Sequence, residues 1–241
     1  AGGDLEMLFA EVHSIIRGLM AAKNFYVALL SADGSELSFP YFVDEYVPPP
    51  PSRRRDRGFT EYVLETNLPQ RVTAPELAEI LRARGLQQTL ERPAAQRLGA
   101  PLFAGGRALG VIALQDYTHA DAYGEEELRL LNFVAEQTAV AVERRQAETA
   151  LARAEQRYRS IFENAIEGLY ITSPEGRFVS ANPALARMLG YATPAELLAA
   201  VNDINRQIYV HRERRDEFFA LIQRSDEISG FESEVYRRDG S

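Results

Sequence analysis

The sequence predicts an α+β fold with two small units, each built on an antiparallel sheet, joined by one long helix. Gly-containing turns at Asp33-Gly34, Gly105-Gly106 and Pro174-Glu175-Gly176 separate runs rich in apolar residues. Such turns are typical of tight β-hairpins because glycine accepts positive φ. Residues 125–167 contain neither Pro nor Gly, which favours one continuous helix.

Composition narrows the class of protein. A hydrophobic content of 46% over 241 residues is enough to bury the core of one or two domains. The net charge of −8 disfavours a nucleic-acid partner. The chain has no cysteine, which excludes disulfides and thiolate metal sites, and no signal-peptide pattern opens it, so a cytoplasmic location is expected. No apolar run approaches the ~18 residues of a membrane span.

The first unit is predicted from periodicity. Apolar residues recur at helical spacing over residues 4–22, and alternation around the two Gly turns indicates strands. The Pro-rich and Arg-rich segment 48–55 is expected to be a loop. The predicted helices are 4–22, 59–65 and 75–84, and the predicted strands are 24–31, 35–43, 98–104 and 107–116.

The second unit is shorter and ends on a turn signal. Its predicted strands are 168–172, 177–181 and 230–238, and its predicted helical segments are 183–189, 194–200, 201–210 and 212–223. Asp239-Gly240 indicates a hairpin whose return strand would follow Ser241. We therefore expect this unit to lack its last strands and the chain to be part of a longer protein.

Two apolar stripes run along the long helix, which is predicted over residues 123–164. The stripe Leu131, Ala135, Thr138 and Val142 exists only in the first half, where it can pack on the helix's own unit. The other stripe continues at spacing three to four, as a coiled-coil seam does, so we expect a parallel homodimer. Its residues are Leu130, Phe133, Gln137, Val140, Arg144, Ala147, Leu151, Ala154, Tyr158 and Ile161.

Two stretches resemble known domain families. Residues 97–117, RLGAPLFAGGRALGVIALQDY, together with 125–145 resemble the second half of a GAF domain, and 26–42 fits its first hairpin. Residues 157–172, RYRSIFENAIEGLYIT, together with 176–191 and 230–241, resemble a PAS domain. The resemblance implies a GAF domain over 1–145 and a PAS domain over 153–241.

A GAF–helix–PAS series is similar to the sensory region of bacterial signal-transduction proteins. The resemblance implies a sensor fragment of a two-component histidine kinase that senses a small molecule or relays a signal through a dimeric helix. Two alternatives stay open: the sensor region of a cyclic-di-GMP enzyme with GGDEF or EAL domains, and a ligand-free dimerisation and spacer module. No kinase, cyclase or hydrolase motif occurs in the sequence, so no catalytic residue is expected within it.

The resemblance also suggests where a small ligand would lie. In the GAF unit, the first helix and the long helix are expected on one face of the sheet, and segment 47–96 is expected to enclose a pocket on the other. The GAF candidates are Tyr26, Phe39, Tyr41, Phe103 and Gln115. The PAS candidates are Tyr170, Phe178, Met188, Ile204, Tyr209, Phe219 and Phe231.

No cofactor or metal is expected. Without cysteine, neither a covalent bilin nor the flavin photochemistry of these families is available. The resemblance puts Glu217 where a haem-binding PAS domain has its His, while His211 precedes that helix, so haem is not expected. His119 lies near Asp116 and Asp121, and this short loop is interpreted as solvated rather than as a metal site.

Overall fold

The computed structural model describes residues 2–56, 58–85, 93–224 and 227–241. Contacts divide the chain into two compact units, Ala1–Ala150 and Leu151–Ser241. Both combine helices with antiparallel strands, so the predicted α+β class is confirmed. Within the described ranges, no helix has the length and apolar character that a membrane span requires.

The first unit is a helix-flanked sheet, and the long helix begins in it. Its helices are α1 (Gly2–Leu19), α2 (Phe59–Thr66), α3 (Ala74–Ala83) and α4 (Glu125–Asn164). Its strands are β1 (Asn24–Leu30), β2 (Glu36–Val43), β3 (Arg53–Arg54), β4 (Gln70–Thr73), β5 (Gln96–Ala104) and β6 (Arg107–Asp116).

The six strands form one antiparallel sheet in the order β3-β2-β1-β6-β5-β4. The central strands β1 and β6 pair from Asn24–Gln115 to Leu29–Gly110. Gly110 is required here, because a Cβ at this position would lie 2.0 Å from the carbonyl oxygen of Ala28. Both faces of these strands are buried, which explains why they are continuous apolar runs rather than alternating ones.

One face of the sheet packs against α1 and α4, as predicted. Phe9 and Ile16 of α1 and Leu131 and Val142 of α4 are fully buried there against the sheet. The second stripe of α4 therefore packs on its own unit. An ion pair between Asp4 and Arg145 joins the two helices at the surface.

The structure corrects three predictions in this unit. Ile15 and Leu19 are among the apolar residues that recur at helical spacing over residues 4–22, on the side predicted to be apolar. More than half of each side chain's surface is nevertheless exposed. The predicted loop 48–55 contains the short strand β3, which pairs with Glu36 and Leu37 of β2. Strand β4 was not predicted, because its sequence Gln-Arg-Val-Thr contains a single apolar residue.

The second unit has a small core. Strands β7 (Tyr170–Thr172) and β8 (Phe178–Ala181) pair with each other, and the helices are α5 (Pro183–Met188), α6 (Pro194–Ala200), α7 (Ile204–Gln207) and α8 (Arg212–Ile222). The fully buried Asn182 fixes the entry to α5. Its side-chain oxygen accepts from the backbone nitrogens of Leu169 and Leu185, and its amide donates to the carbonyl of Glu167.

The predicted strand 230–238 is not formed as a ladder. Val235 makes an isolated antiparallel bridge with Tyr209, and the backbone of the segment also bonds to Ile208, Val210 and Leu189, but these bonds do not form a continuous ladder. Alternation alone predicts which residues share a face, but a strand also needs a partner for its backbone groups. The predicted turn does form, with Gly240 at φ 84° and the Arg237 nitrogen donating to the Ser241 carbonyl.

His13 connects α1 to the sheet from a buried position. Its Nε2 lies 2.7 Å from the Ala22 carbonyl oxygen, which only accepts, so Nε2 carries the proton. Nδ1 then accepts from the Tyr41 hydroxyl at 3.0 Å, and the ring stacks on Phe25. Burial lowers the pKa of His13, although the hydrogen bond to Ala22 opposes this.

This geometry predicts a pH-dependent stability. A folded pKa below that of the unfolded chain means that the unfolded state binds more protons in this range, so stability falls as the pH drops through the unfolded value of 6.5. The urea midpoint should therefore decrease between pH 7.5 and 5.5. The decrease should be smaller in His13→Gln and unchanged in His119→Gln, whose ring is exposed. An equal slope in wild type and His13→Gln would contradict the assignment.

Candidate functional site

A cavity of about 230 Å³ lies on the sheet face opposite α1 and α4. This is below the ~300–1,000 Å³ of drug-sized sites. Its walls come from β1, β2, β5, β6, α2 and the segment before α2. The residues are Tyr26, Phe39, Phe42, Val47, Pro50, Arg53, Thr60, Arg97, Gln115 and Tyr117.

The strands supply an aromatic wall. The ring of Tyr26 stacks on Phe42 at 5.7 Å between centroids and lies 6.1 Å from Phe39. The Tyr26 hydroxyl is within 3.0 Å of the Thr60 hydroxyl on α2. Arg97 and Gln115 are directly paired across β5 and β6, so they share one face of the sheet.

Asp44 fixes the polar side of the cavity from behind. Its carboxylate accepts from the side-chain amide of Gln115 and, at 3.1 Å, from the Tyr117 hydroxyl. The same carboxylate accepts from the backbone nitrogens of Tyr46 and Val47, which orders the start of the segment over the cavity. Asp44 itself does not line the cavity wall.

Arg53 is neutralised by a buried carboxylate. Glu61 of α2 is fully buried and accepts from Arg53 Nη1 and from the backbone nitrogen of Asp56 through Oε1, while Oε2 has no partner among the described residues. Burial would raise the pKa of Glu61, but the hydrogen bonds from Arg53 and Asp56 outweigh it and hold the pKa below its ordinary value. The ion pair ties β3 to α2.

Arg97 has no such partner. Its Nε is buried without a hydrogen bond, and none of the described residues forms an ion pair with its guanidinium. The guanidinium lies over the Phe59 ring, 5.9 Å from the centroid. Burial raises the pKa of Tyr26, and the charge of Arg97 is the largest influence in the opposite direction, so this charge lies near the Tyr26 hydroxyl.

The structure brings together three of the five GAF candidates: Tyr26, Phe39 and Gln115 line the cavity. Tyr41 lies on the opposite face with His13 and Phe25. The reason is a β-bulge: Val27 pairs with Tyr41 and Leu29 with Ser38, so Ala28 faces two residues and the alternation of β2 reverses.

Phe103 is also outside the cavity, and it is 42% exposed. It pairs with Ala108 beside the hairpin turn, whereas Arg97 pairs with Gln115, which places them roughly 20 Å apart along the ladder. The expected segment 47–96 does contribute Val47, Pro50, Arg53 and Thr60, while its residues 57 and 86–92 lie outside the described structure. Sequence reasoning missed Arg97 because the predicted strand begins at residue 98, whereas the observed strand begins at Gln96 and includes Arg97.

The described contacts connect several of the seven PAS candidates, since the Arg215 guanidinium lies over both Tyr209 and Phe219 and the Tyr170 ring packs on Phe178. Phe178 and Ile204 are buried in the packed core, and Tyr209 packs against it. Tyr170 is half-exposed with its ring edge on Phe178, and Met188 is also half-exposed. Phe231 contacts Phe218 and the Arg214 guanidinium, and it lines an open groove with His211. Phe219 lies against Phe218 and the buried Arg215.

The remaining candidate ligands are engaged in local contacts. The Asp116 carboxylate accepts from the backbone nitrogens of Thr118 and His119, closing an Asx turn. Glu217 pairs with Arg214 on α8, and His211 precedes that helix. Across the residues the structure describes, no group of three or more His, Cys, Asp and Glu side chains could hold a metal ion.

Comparison with known families identifies the two domains of the chain. Residues 3–143 match the GAF domain family, so the chain belongs to this family. Residues 156–224 match a PAS domain family. The chain is therefore a GAF–PAS sensory region of a signalling protein.

One curated relative is the methyl sulfide methyltransferase-associated sensor of Methanosarcina acetivorans, 34% identical over 109 residues. The match covers 42% of this chain and 11% of the relative, so the chain spans about a tenth of that protein's length. The second GAF domain of DevS from Mycobacterium smegmatis is a similar solved structure, with 17% sequence identity and a TM-score of 0.48. The match covers 63% of this chain and 99% of that one. A methyl-accepting chemotaxis protein, residues 122 to 287, is 11% identical with a TM-score of 0.49. The match covers 58% of this chain and 89% of that one.

The buried ion pair between Arg53 and Glu61 predicts that removing the charge of Glu61 lowers the stability of the fold. Glu61→Gln leaves Arg53 unpaired, and because Arg53 is partly exposed we expect the free energy of unfolding to fall by about 1–2 kcal/mol in urea titrations at pH 7. The carboxylate's contribution is present above pH 4.5 and lost as the pH falls, so the variant should also lose less stability on acidification. Glu79→Gln, on an exposed position of α3, is the control. Equal stability of the two variants would show that the pair contributes nothing.

Proposed function

We propose that this chain is the sensory region of a bacterial sensor histidine kinase, in which the GAF unit binds a small molecule and α4 transmits the response within a parallel homodimer. The observation that carries the proposal is the placement of the cavity. It shares β1, β5 and β6 with the face on which α4 packs. The GAF–helix–PAS order is typical of such kinases, and the Methanosarcina relative is itself named a sensor.

The central strands provide the coupling. Tyr26 points into the cavity, while its neighbours Phe25 and Val27 belong to the core under α1 and α4. Interiors are close-packed, so a ligand that displaces Tyr26 must also shift the residues on the other face. A ligand with different affinities for two arrangements of the strands would then bias α4 between two states.

The homodimer is supported by the exposed stripe of α4. Phe133, Val140, Leu151, Tyr158 and Ile161 are each about 60–70% exposed. Every residue from 151 to 161 is exposed. A helix with an uncovered apolar stripe is typical of a coiled-coil seam. Gln137 and Arg144 interrupt the stripe, which leaves neighbouring registers close in free energy.

Two other functions use the same features. A cyclic-di-GMP enzyme with GGDEF or EAL domains can carry the same sensory series. A ligand-free dimerisation and spacer module would need α4 but not the cavity. The polar groups around the cavity favour a ligand site over a spacer, because a packed core has no need of Arg97.

We predict that the purified chain is a dimer at micromolar concentrations and that Leu151→Lys with Tyr158→Lys makes it monomeric. Placing lysines in the seam buries charge without partners. Sedimentation velocity measures the outcome. The control is Gln156→Lys with Ser160→Lys, on exposed positions outside the stripe, which should remain dimeric. A monomeric wild type would overturn the dimer.

The sensory role is tested by native mass spectrometry of protein purified from cells. Wild type is expected to retain a small molecule, and Val47→Trp, which fills the cavity, should lose it. Val43→Trp, at an exposed position at the end of β2, should keep it. In the full parent protein, autophosphorylation from ATP should differ between these two variants. A retained mass that Val47→Trp does not affect places the ligand elsewhere, and a parent without kinase activity favours the cyclic-di-GMP alternative.

A further inference from the structure

The two guanidinium groups that line the cavity are not equivalent. Arg53 is paired with the buried carboxylate of Glu61. Arg97 contacts an aromatic ring but no carboxylate, and its Nε is buried without a hydrogen-bond partner among the described residues. Among the described residues, Arg53, Arg97 and Glu61 leave one positive charge at this end of the cavity. A partly desolvated guanidinium without an anion is costly, so an anionic ligand would be strongly favoured here.

The carboxylate of Asp44 forms neither an ion pair nor a hydrogen bond with Arg97. Asp44 stands behind Gln115 and Tyr117, and it accepts hydrogen bonds from both. It is absent from the cavity wall, whereas Arg97 lines it. Among the described residues that line the cavity, the charge without an ion-pair partner is therefore the positive charge of Arg97.

The remaining wall is mostly apolar. Phe39, Phe42, Val47 and Pro50 lie around the aromatic ring of Tyr26. The volume of about 230 Å³ suits a single ring or a short aliphatic chain bearing one acidic group. A guanidinium has the planar fork that matches a carboxylate bidentately, and the apolar wall matches the rest of such a molecule.

We propose that the GAF cavity binds a small organic carboxylate, with the carboxylate on Arg97 and the apolar part against Tyr26, Phe39 and Phe42. This rests on the proposed function, in which the same cavity is the sensory site. It adds the charge and the chemical class of the ligand.

Isothermal titration of matched acid and amide pairs tests the charge. The probes are acetate with acetamide, butyrate with butyramide, and benzoate with benzamide. In at least one pair the acid should bind at least about tenfold more tightly, since a hydrogen bond to a charged group is worth about a factor of ten or more. Arg97→Gln should reduce this preference to within about twofold, and Arg97→Lys should restore part of it. Arg107→Gln, on an exposed position of the same sheet, should bind as wild type does.

Each other result has a defined meaning. Equal binding of acid and amide overturns the carboxylate while leaving the cavity as a ligand site. An acid preference that persists in Arg97→Gln, with the fold confirmed by circular dichroism, overturns the assignment to Arg97. Binding of no probe at millimolar concentration overturns the proposed ligand class, and the response of Val47→Trp in native mass spectrometry then decides separately whether the cavity is sensory at all.

Discussion

The pairing of β1 with β6, buried on both faces, is the constraint on which the first unit depends. Gly110 allows the two backbones to approach, since any side chain there would collide with the Ala28 carbonyl. Consecutive residues of β1 then serve different purposes: Phe25 belongs to the core under the helices, and Tyr26 belongs to the cavity wall. A strand used in this way cannot adjust one face alone, because its side chains are set by a rigid alternation of period two.

The bulge in β2 sets which aromatic rings meet the cavity. Because Ala28 faces both Phe39 and Pro40, the alternation reverses and Phe42 joins Phe39 on the cavity side while Tyr41 turns to His13. Pro40 lacks a backbone donor, so it fits a position where the ladder is interrupted. The bulge thus supplies both the aromatic wall of the cavity and the Tyr41 hydroxyl that donates to Nδ1 of His13.

Local sequence signals predicted the helices and hairpins well wherever glycine or proline determines the backbone conformation. The Gly turns located both hairpins of the first unit, and the absence of Pro and Gly located α4. The site was predicted less well. Tyr41 was misplaced because a bulge is decided by pairing between strands, and Arg97 was missed because its lack of a partner is visible only once its neighbours are known. The strand predicted at 230–238 failed for the same reason, since pairing is not encoded in the strand's own alternation.

The long helix has two different sources of stability. Its buried residues are Leu131, Ala135, Thr138, Ala139 and Val142, all in the first half. Beyond them the helix depends on good helix formers and on surface pairs such as Glu155–Arg159 at 3.0 Å, each worth about 0.3–0.5 kcal/mol. Such pairs keep a helix formed but do not fix its register against a second copy. In the proposed dimer, such registers would be redistributed by a ligand whose affinities for the two states differ by a few kcal/mol, and the proposed contact of a carboxylate with Arg97 is the interaction that would supply this difference.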